Sequence, residues 1–223
     1  MEGMVERVEA FVGEYAAGKS EVAINRALAL RQQGKQVTLV DLDLVEPTFT
    51  LRPLKHQLEG QGLNVIAWET AQTFGLGEAG MQLHPQARSA MLRTGHLVCD
   101  VGYGVFGSEV LNLVEGALAC PHLGVYLVVN TTRPMTSSVD LILEEAKLFN
   151  PLHGLLNNTH LGAETTVELV QRGAQIVQVA ANELNLPVIA TPALAEIAQQ
   201  MDGYDVCGNP VWPLRRYLQT AFW

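Results

Sequence analysis

Apolar runs and helix-spaced apolar positions alternate along this chain. Val8-Glu9-Ala10-Phe11-Val12 predicts a first strand. Ser20 to Gln33 predicts a helix with Val22, Ala23, Ala27 and Leu30 on one side and Gly34 as its stop. Further strands are predicted at Val37–Leu42, Leu63–Trp68, Leu97–Val101, Leu123–Asn130, Leu152–Leu156 and, last, Leu186–Ala190. Helices are predicted over Pro85–Thr94 and Glu109–Ala119 and from a capped start at Ser137-Ser138 to Phe149. Thr165-Thr166-Val167-Glu168 fits a capping box, and Val167, Val170, Ala174, Val177, Ala181 and Leu184 then follow at helical spacing.

The strands read as near-continuous apolar runs rather than alternating ones, which marks a parallel sheet buried on both faces. Strand-helix alternation then gives an α/β fold: an open, mainly parallel sheet with helices on both faces. No internal repeat, low-complexity tract or linker interrupts the pattern, so a single domain over residues 1–223 is expected. Residues 67 to 84 are the least periodic stretch and are expected to form an ordered surface loop. Leu214, Tyr217, Leu218, Ala221 and Phe222 recur at helical spacing, and packing on the domain or on a second copy outweighs membrane binding there, because membrane helices carry more lysine and arginine.

Composition narrows the partners. The chain is 48% hydrophobic and 17% charged, which is foldable, and its formal net charge is -9. Such a surface repels nucleic-acid phosphates and anionic lipid, so neither is an expected partner; proteins and small molecules are. Cys99, Cys120 and Cys207 form no paired motif, and no targeting segment or membrane-length apolar run is present, so a cytoplasmic setting is expected.

Gly13-Glu14-Tyr15-Ala16-Ala17-Gly18-Lys19-Ser20 matches G-x-x-x-x-G-K-[ST] between a predicted strand and a predicted helix. A phosphate chain needs several inward-pointing backbone N–H groups, glycines allow so tight a curl, and the helix start adds free N–H groups and a positive dipole end. The pattern predicts a phosphate-binding loop, with Lys19 reaching the β- and γ-phosphates, the Ser20 hydroxyl on Mg²⁺ and Glu21 in the helix's first turn beside them. Asp41 and Asp43 close the second strand and Asp100 lies near the end of a later one. Open α/β sheets bind ligands outside the carboxyl ends of their strands. Mg²⁺ uses one or two carboxylates together with phosphate oxygens.

GEYAAGKS, VTLVDLD, VCDVGYG and GLLNNT, in this order, resemble the MinD, ParA and nitrogenase-iron-protein class of P-loop ATPases from about Val8 to Pro192. The resemblance implies an ATP- and Mg²⁺-dependent protein. It implies that Asp41 holds a metal-bound water, that Asp43 orients the attacking water and that Asp100 and Gly104 form a second switch. It implies that Asn158, ending Gly154-Leu155-Leu156-Asn157-Asn158, reads the adenine edge and that the loop near Pro192 covers the base. The class usually places a second lysine after the first loop glycine, reaching across an ATP-bound dimer. Glu14 occupies that position here and would repel a triphosphate unless turned aside.

Competing patterns are weaker. Gly102-Tyr103-Gly104-Val105-Phe106-Gly107 has the form of a dinucleotide fingerprint, but the next predicted strand ends at Asn130 without the acid that would hold a ribose. The six histidines show no metal spacing, and Cys99 and Cys120 read as buried thiols rather than cluster ligands. Arg133 follows the most apolar strand and suits either a phosphate or partner contact or a brace of its loop through a surface carboxylate. The expectation is an Mg²⁺-dependent ATPase acting as a nucleotide-driven switch on a protein partner, with a nucleotide-dependent homodimer as first candidate. A small-molecule kinase or ligase, and an interaction module that has lost turnover, are the alternatives.

Overall fold

The computed structural model describes residues 5–45, 51–69, 71 and 82–218. It shows an α/β fold with eight strands among these residues, and the strands pair in parallel. Contacts divide the chain into two compact units, Met1–Phe11 with Ala23–Gly124 and Val12–Val22 with Val125–Trp223.

The first unit carries β1 (Val5–Val12), β2 (Val37–Leu42), β3 (Asn64–Ile66) and β4 (Gly95–Val101). Their order is β3-β2-β4-β1. In register, Asp41 of β2 and Phe11 of β1 each lie opposite Asp100 of β4, so the carboxyl ends of the three strands share one edge. β2 and β4 are buried along their whole length, as near-continuous apolar runs predict. α1 (Lys19–Gln32) follows β1, and its Arg26 forks onto Glu9 of β1 at 2.6 and 2.8 Å. That pairing accounts for a glutamate with 1% exposure inside an apolar strand, since a buried charge persists only when paired.

α2 (Lys55–Gly60), α3 (Pro85–Arg88) and α4 (Gly104–Glu109) complete the first unit. Two predicted helices are shorter or shifted. The one expected over Pro85–Thr94 breaks at Ser89 (φ -100, ψ 20), where α3 gives way to a 3₁₀ turn at Ala90–Leu92. The one expected over Glu109–Ala119 instead begins at Gly104 and runs into a 3₁₀ turn at Val110–Leu113, which ends because Val114 is extended. Of the loop expected over 67–84, residues 70 and 72–81 lie outside the described residues.

The second unit holds β5 (Leu123–Val129, entering from the first), β6 (Gly154–Asn157), β7 (Val188–Leu194) and β8 (Val211–Leu214), in the order β5-β6-β7-β8. Its helices are α5 (Val139–Ala146), α6 (Val167–Glu183) and α7 (Ala195–Ala198). α6 buries Val170, Ala174, Val177 and Ala181, the stripe its spacing predicts. Its cap is Thr166, whose hydroxyl accepts from Leu169 N at 3.2 Å, one residue later than the predicted box. The Thr165 hydroxyl is engaged by the preceding turn, donating to Gly162 O and accepting from Leu161 N.

β7 is not the last strand. Its final residues pair with Val211–Leu214, so Leu214 ends a strand rather than opening a helix, and 215–218 follow without regular secondary structure. The helical spacing there is overridden by long-range bonds to Tyr217 and Leu218; Ala221 and Phe222 lie outside the described residues.

Candidate functional site

The loop Gly13–Ser20 runs from the end of β1 into the first turn of α1. Gly13 (φ 139), Ala16 (φ 54) and Gly18 (φ 86) have left-handed backbone, which curls the chain tightly. Three of the loop's carbonyls are held by donors of the protein. Glu14 O accepts from Lys19 Nζ at 2.9 Å, Ala16 O from Arg133 Nε at 3.2 Å and Ala17 O from Asn158 Nδ2 at 2.7 Å. A trans peptide sets its N–H opposite its C=O, so anchoring the carbonyls of Glu14 and Ala17 turns the amides of Tyr15 and Gly18 the other way. Arg133 is expected to meet a phosphate, a partner or a surface carboxylate; what the structure shows is its bond to the Ala16 carbonyl of the phosphate loop.

Gly18 has a second constraint. A Cβ there would drive into the Asn158 amide, so glycine at 18 and asparagine at 158 are one packing solution. Asn158 follows β6 directly, and the pocket it lines also takes in Gly18, Glu21, His160, Pro192 and Arg216. The structure therefore brings Gly18, Glu21, Asn158 and Pro192 together around one concavity. Glu21 turns its carboxylate onto the backbone N–H groups of Tyr217 and Leu218.

The charges around the loop are unusual. Glu145 of α5 is 3% exposed, and among the described residues its Oε1 has no hydrogen-bond partner. Burial, and then the nearby Glu14 carboxylate, push it up to about 7, against the pull of Lys19. The position where a second lysine was expected thus belongs to a Glu14–Lys19–Glu145 group. His160 is driven down to about 4 by burial, with Arg133 and Arg216 adding to the effect, so its imidazole is neutral at pH 7. Its backbone is fixed by buried Asn130, which donates to His160 O and accepts from His160 N. Asn157 ties β6 to α6 and β7 through Val170 O and the Thr191 hydroxyl.

In the first unit Asp41, Asp43 and Asp100 cluster at one sheet edge, with 5%, 8% and 0% exposure. Asp43 N donates to Asp41 Oδ1 at 3.0 Å, and Val45 N to Asp43 Oδ1 at 2.8 Å. Arg52 lies 3.3 Å from the other oxygen of Asp41. Burial pushes Asp41 up to about 6 despite that guanidinium. A Cβ on Gly102 would meet Asp43 Oδ1 at 2.7 Å, and one on Gly107 would overlap the Gly102 carbonyl. Two glycines of the G-x-G-x-x-G stretch are thus accounted for by packing within this unit, and Gly104 by its φ of 67.

Sequence reasoning missed Arg52 and Glu145, gave His160 no role, and put Asn130 at the binding edge without a partner. A polar run at the end of an apolar strand, as in Asn157-Asn158-Thr159, is a local signal for such residues. Arg52 and Glu145 carry none, because their meaning comes from the neighbours that folding supplies.

No family model and no curated protein matches the chain. Solved structures do. The chain is similar to the cell division protein FtsY of Thermotoga maritima at 20% identity, over 84% of this chain and 61% of that one, with a TM-score of 0.50. It is similar to the signal recognition particle receptor FtsY of Elizabethkingia anophelis in complex with GDP at 16% identity, over 83% and 56%, with a TM-score of 0.56. It is similar to the chloroplast FtsY of Physcomitrella patens at 19% identity, over 83% and 57%, with a TM-score of 0.52. The chain thus spans 56 to 61% of the length of these structures. The likeness shows the fold, a P-loop NTPase-like α/β fold.

Proposed function

We propose that this protein binds Mg·ATP through Gly13–Ser20 and works as a nucleotide-driven switch in the manner of the MinD and ParA class. The observation that carries the reading is the loop itself. Three of its carbonyls are tied back to Lys19, Arg133 and Asn158, which supports an amide-lined cup for an anion. Lys19 would exchange the Glu14 carbonyl for β- and γ-phosphate oxygens. Asn158 and the loop at Pro192 would border the nucleoside. One FtsY relative holds GDP, which supports a nucleotide as the ligand class.

The Ser20 hydroxyl and the carboxylates of Asp41 and Asp100 are hard oxygen donors, the kind Mg²⁺ takes. Among the described residues no cluster of three or more His, Cys, Asp or Glu forms a metal site, so Mg²⁺ here would depend on phosphate oxygens for much of its shell. Bound Mg²⁺ would neutralise charge on the phosphates; Asp43 would orient the attacking water.

A second reading is favoured by Glu14 and Glu145. Glu145 feels both the Glu14 carboxylate and Lys19, and acidic groups so near the loop reduce the positive charge available to a transferring phosphate, so turnover would be slow or absent while binding persists. Calorimetry with Mg·ATP and Mg·GTP, on wild type and Lys19→Ala, tests the main reading. Binding by wild type that Lys19→Ala abolishes supports it; no binding of either nucleotide sinks it. Light scattering with and without a non-hydrolysable ATP analogue tests the homodimer, and single-turnover hydrolysis separates switch from silent module.

A further inference from the structure

Glu21 sits one residue after Ser20, in the first turn of α1, with 8% exposure. Both its oxygens accept from Tyr217 N, at 2.9 and 3.0 Å, and Oε1 also accepts from Leu218 N at 2.6 Å. These bonds span 196 and 197 residues of sequence. The segment they capture follows β8 without regular secondary structure, and Arg215 and Arg216 from its start, with Leu214 at the end of β8, line the same pocket as Glu21, Asn158 and Pro192. One carboxylate therefore ties a wall of the pocket to the helix that the phosphate loop feeds.

The chemistry of the clasp is specific. A buried carboxylate is costly unless its lone pairs are filled, and backbone N–H groups bonded to a charge are among the stronger hydrogen bonds. Burial raises the Glu21 pKa, while the amides of Leu218 and Tyr217 and the charge of Arg216 hold it down. The clasp is one long-range anchor of 215–218, beside the buried side chain of Leu218.

We propose that Glu21 is a positioning residue for the nucleoside half of the site, holding Arg215 and Arg216 in its wall through the amides of Tyr217 and Leu218 and tying base recognition to the start of α1. This rests on the nucleotide reading above. The test is calorimetry of Mg·ATP and of Mg·tripolyphosphate against wild type, Glu21→Ala and Glu21→Gln, with hydrogen exchange at the Tyr217 and Leu218 amides. Losing these charge-assisted bonds should weaken ATP binding about tenfold in Glu21→Ala and speed exchange at both amides. Tripolyphosphate, which has no base to place, should change by less than about twofold, since the loop's own amides remain. Glu21→Gln keeps an acceptor oxygen and should fall between. ATP binding equal in wild type and Glu21→Ala overturns this proposal alone, as does a loss shared equally by tripolyphosphate. Failure of wild type to bind either ligand instead removes the nucleotide reading, and this one with it.

Discussion

Asn158 donates its side-chain amide to the carbonyl of Ala17 at 2.7 Å, joining the end of β6 to the loop ahead of α1. With 4% exposure this bond is shielded from water, and 141 residues separate its partners. It fixes the direction of one loop carbonyl and so of the next amide.

Asn158→Ala should leave the Ala17 carbonyl without its donor, at a cost of about 1–3 kcal/mol in unfolding free energy. Asn158→Asp should cost more, because a carboxylate then faces a carbonyl. Urea denaturation measures the stability loss, and calorimetry should show Mg·ATP affinity falling in the same order.

Gly18→Ala should be worse for binding than for folding. The left-handed backbone at 18 disfavours any Cβ by about 1–2 kcal/mol, and the new methyl must displace the Asn158 amide. Circular dichroism should still report a folded protein, while nucleotide binding is lost.

Two buried groups should give stability opposite slopes with pH. Glu145 stands at about 7 in the fold against an ordinary 4.5, so between these values the folded state keeps a proton the unfolded chain has released. Stability therefore falls as pH rises through that window, and Glu145→Gln should flatten the fall. His160 stands at about 4 against an ordinary 6.5, so there the unfolded chain holds the extra proton. Stability falls as pH drops from 6.5 towards 4, and His160→Asn should flatten that limb. Chemical denaturation across the range reads both.

Arg52→Ala should take from Asp41 its guanidinium, leaving the bond from Asp43 N in place. The carboxylate is 5% exposed and would lose its 3.3 Å guanidinium partner, which typically costs about 3–5 kcal/mol. Removing the arginine also leaves burial unopposed by that charge, so the Asp41 pKa should climb further above 6. Arg52→Lys should restore part of the stability. Denaturation compared at pH 5 and pH 8 checks both effects, since the variant's deficit should shrink at the lower pH.

Local patterns were legible where the physics is local. Near-continuous apolar runs at Val37–Leu42 and Leu123–Val129 predict strands buried on both faces, and they are. The glycines at 13 and 18 mark a curl that few other residues adopt, and the left-handed angles are there. The helix stripe from Val170 to Ala181 is buried because its period matches the helix. Where a distant group supplied the deciding energy, periodicity failed. The spacing from Leu214 onward reads as a helix, but β7 pairs with Leu214 and Glu21 captures the next amides.

By itself the sequence determined the parallel α/β class, the curled loop between β1 and α1 and the placing of Asp41, Asp43 and Asp100 at strand ends, because backbone sterics and hydrophobic period act over a few residues. Tertiary structure alone decided the partners of those residues: Asn158 and Arg133 on the loop's carbonyls, Arg52 on Asp41, Glu145 beside Lys19 and Glu21 on the C-terminal segment. The reason is that a buried polar group is satisfied by whichever neighbour the packed chain brings within hydrogen-bonding distance, and separation along the sequence does not enter that choice.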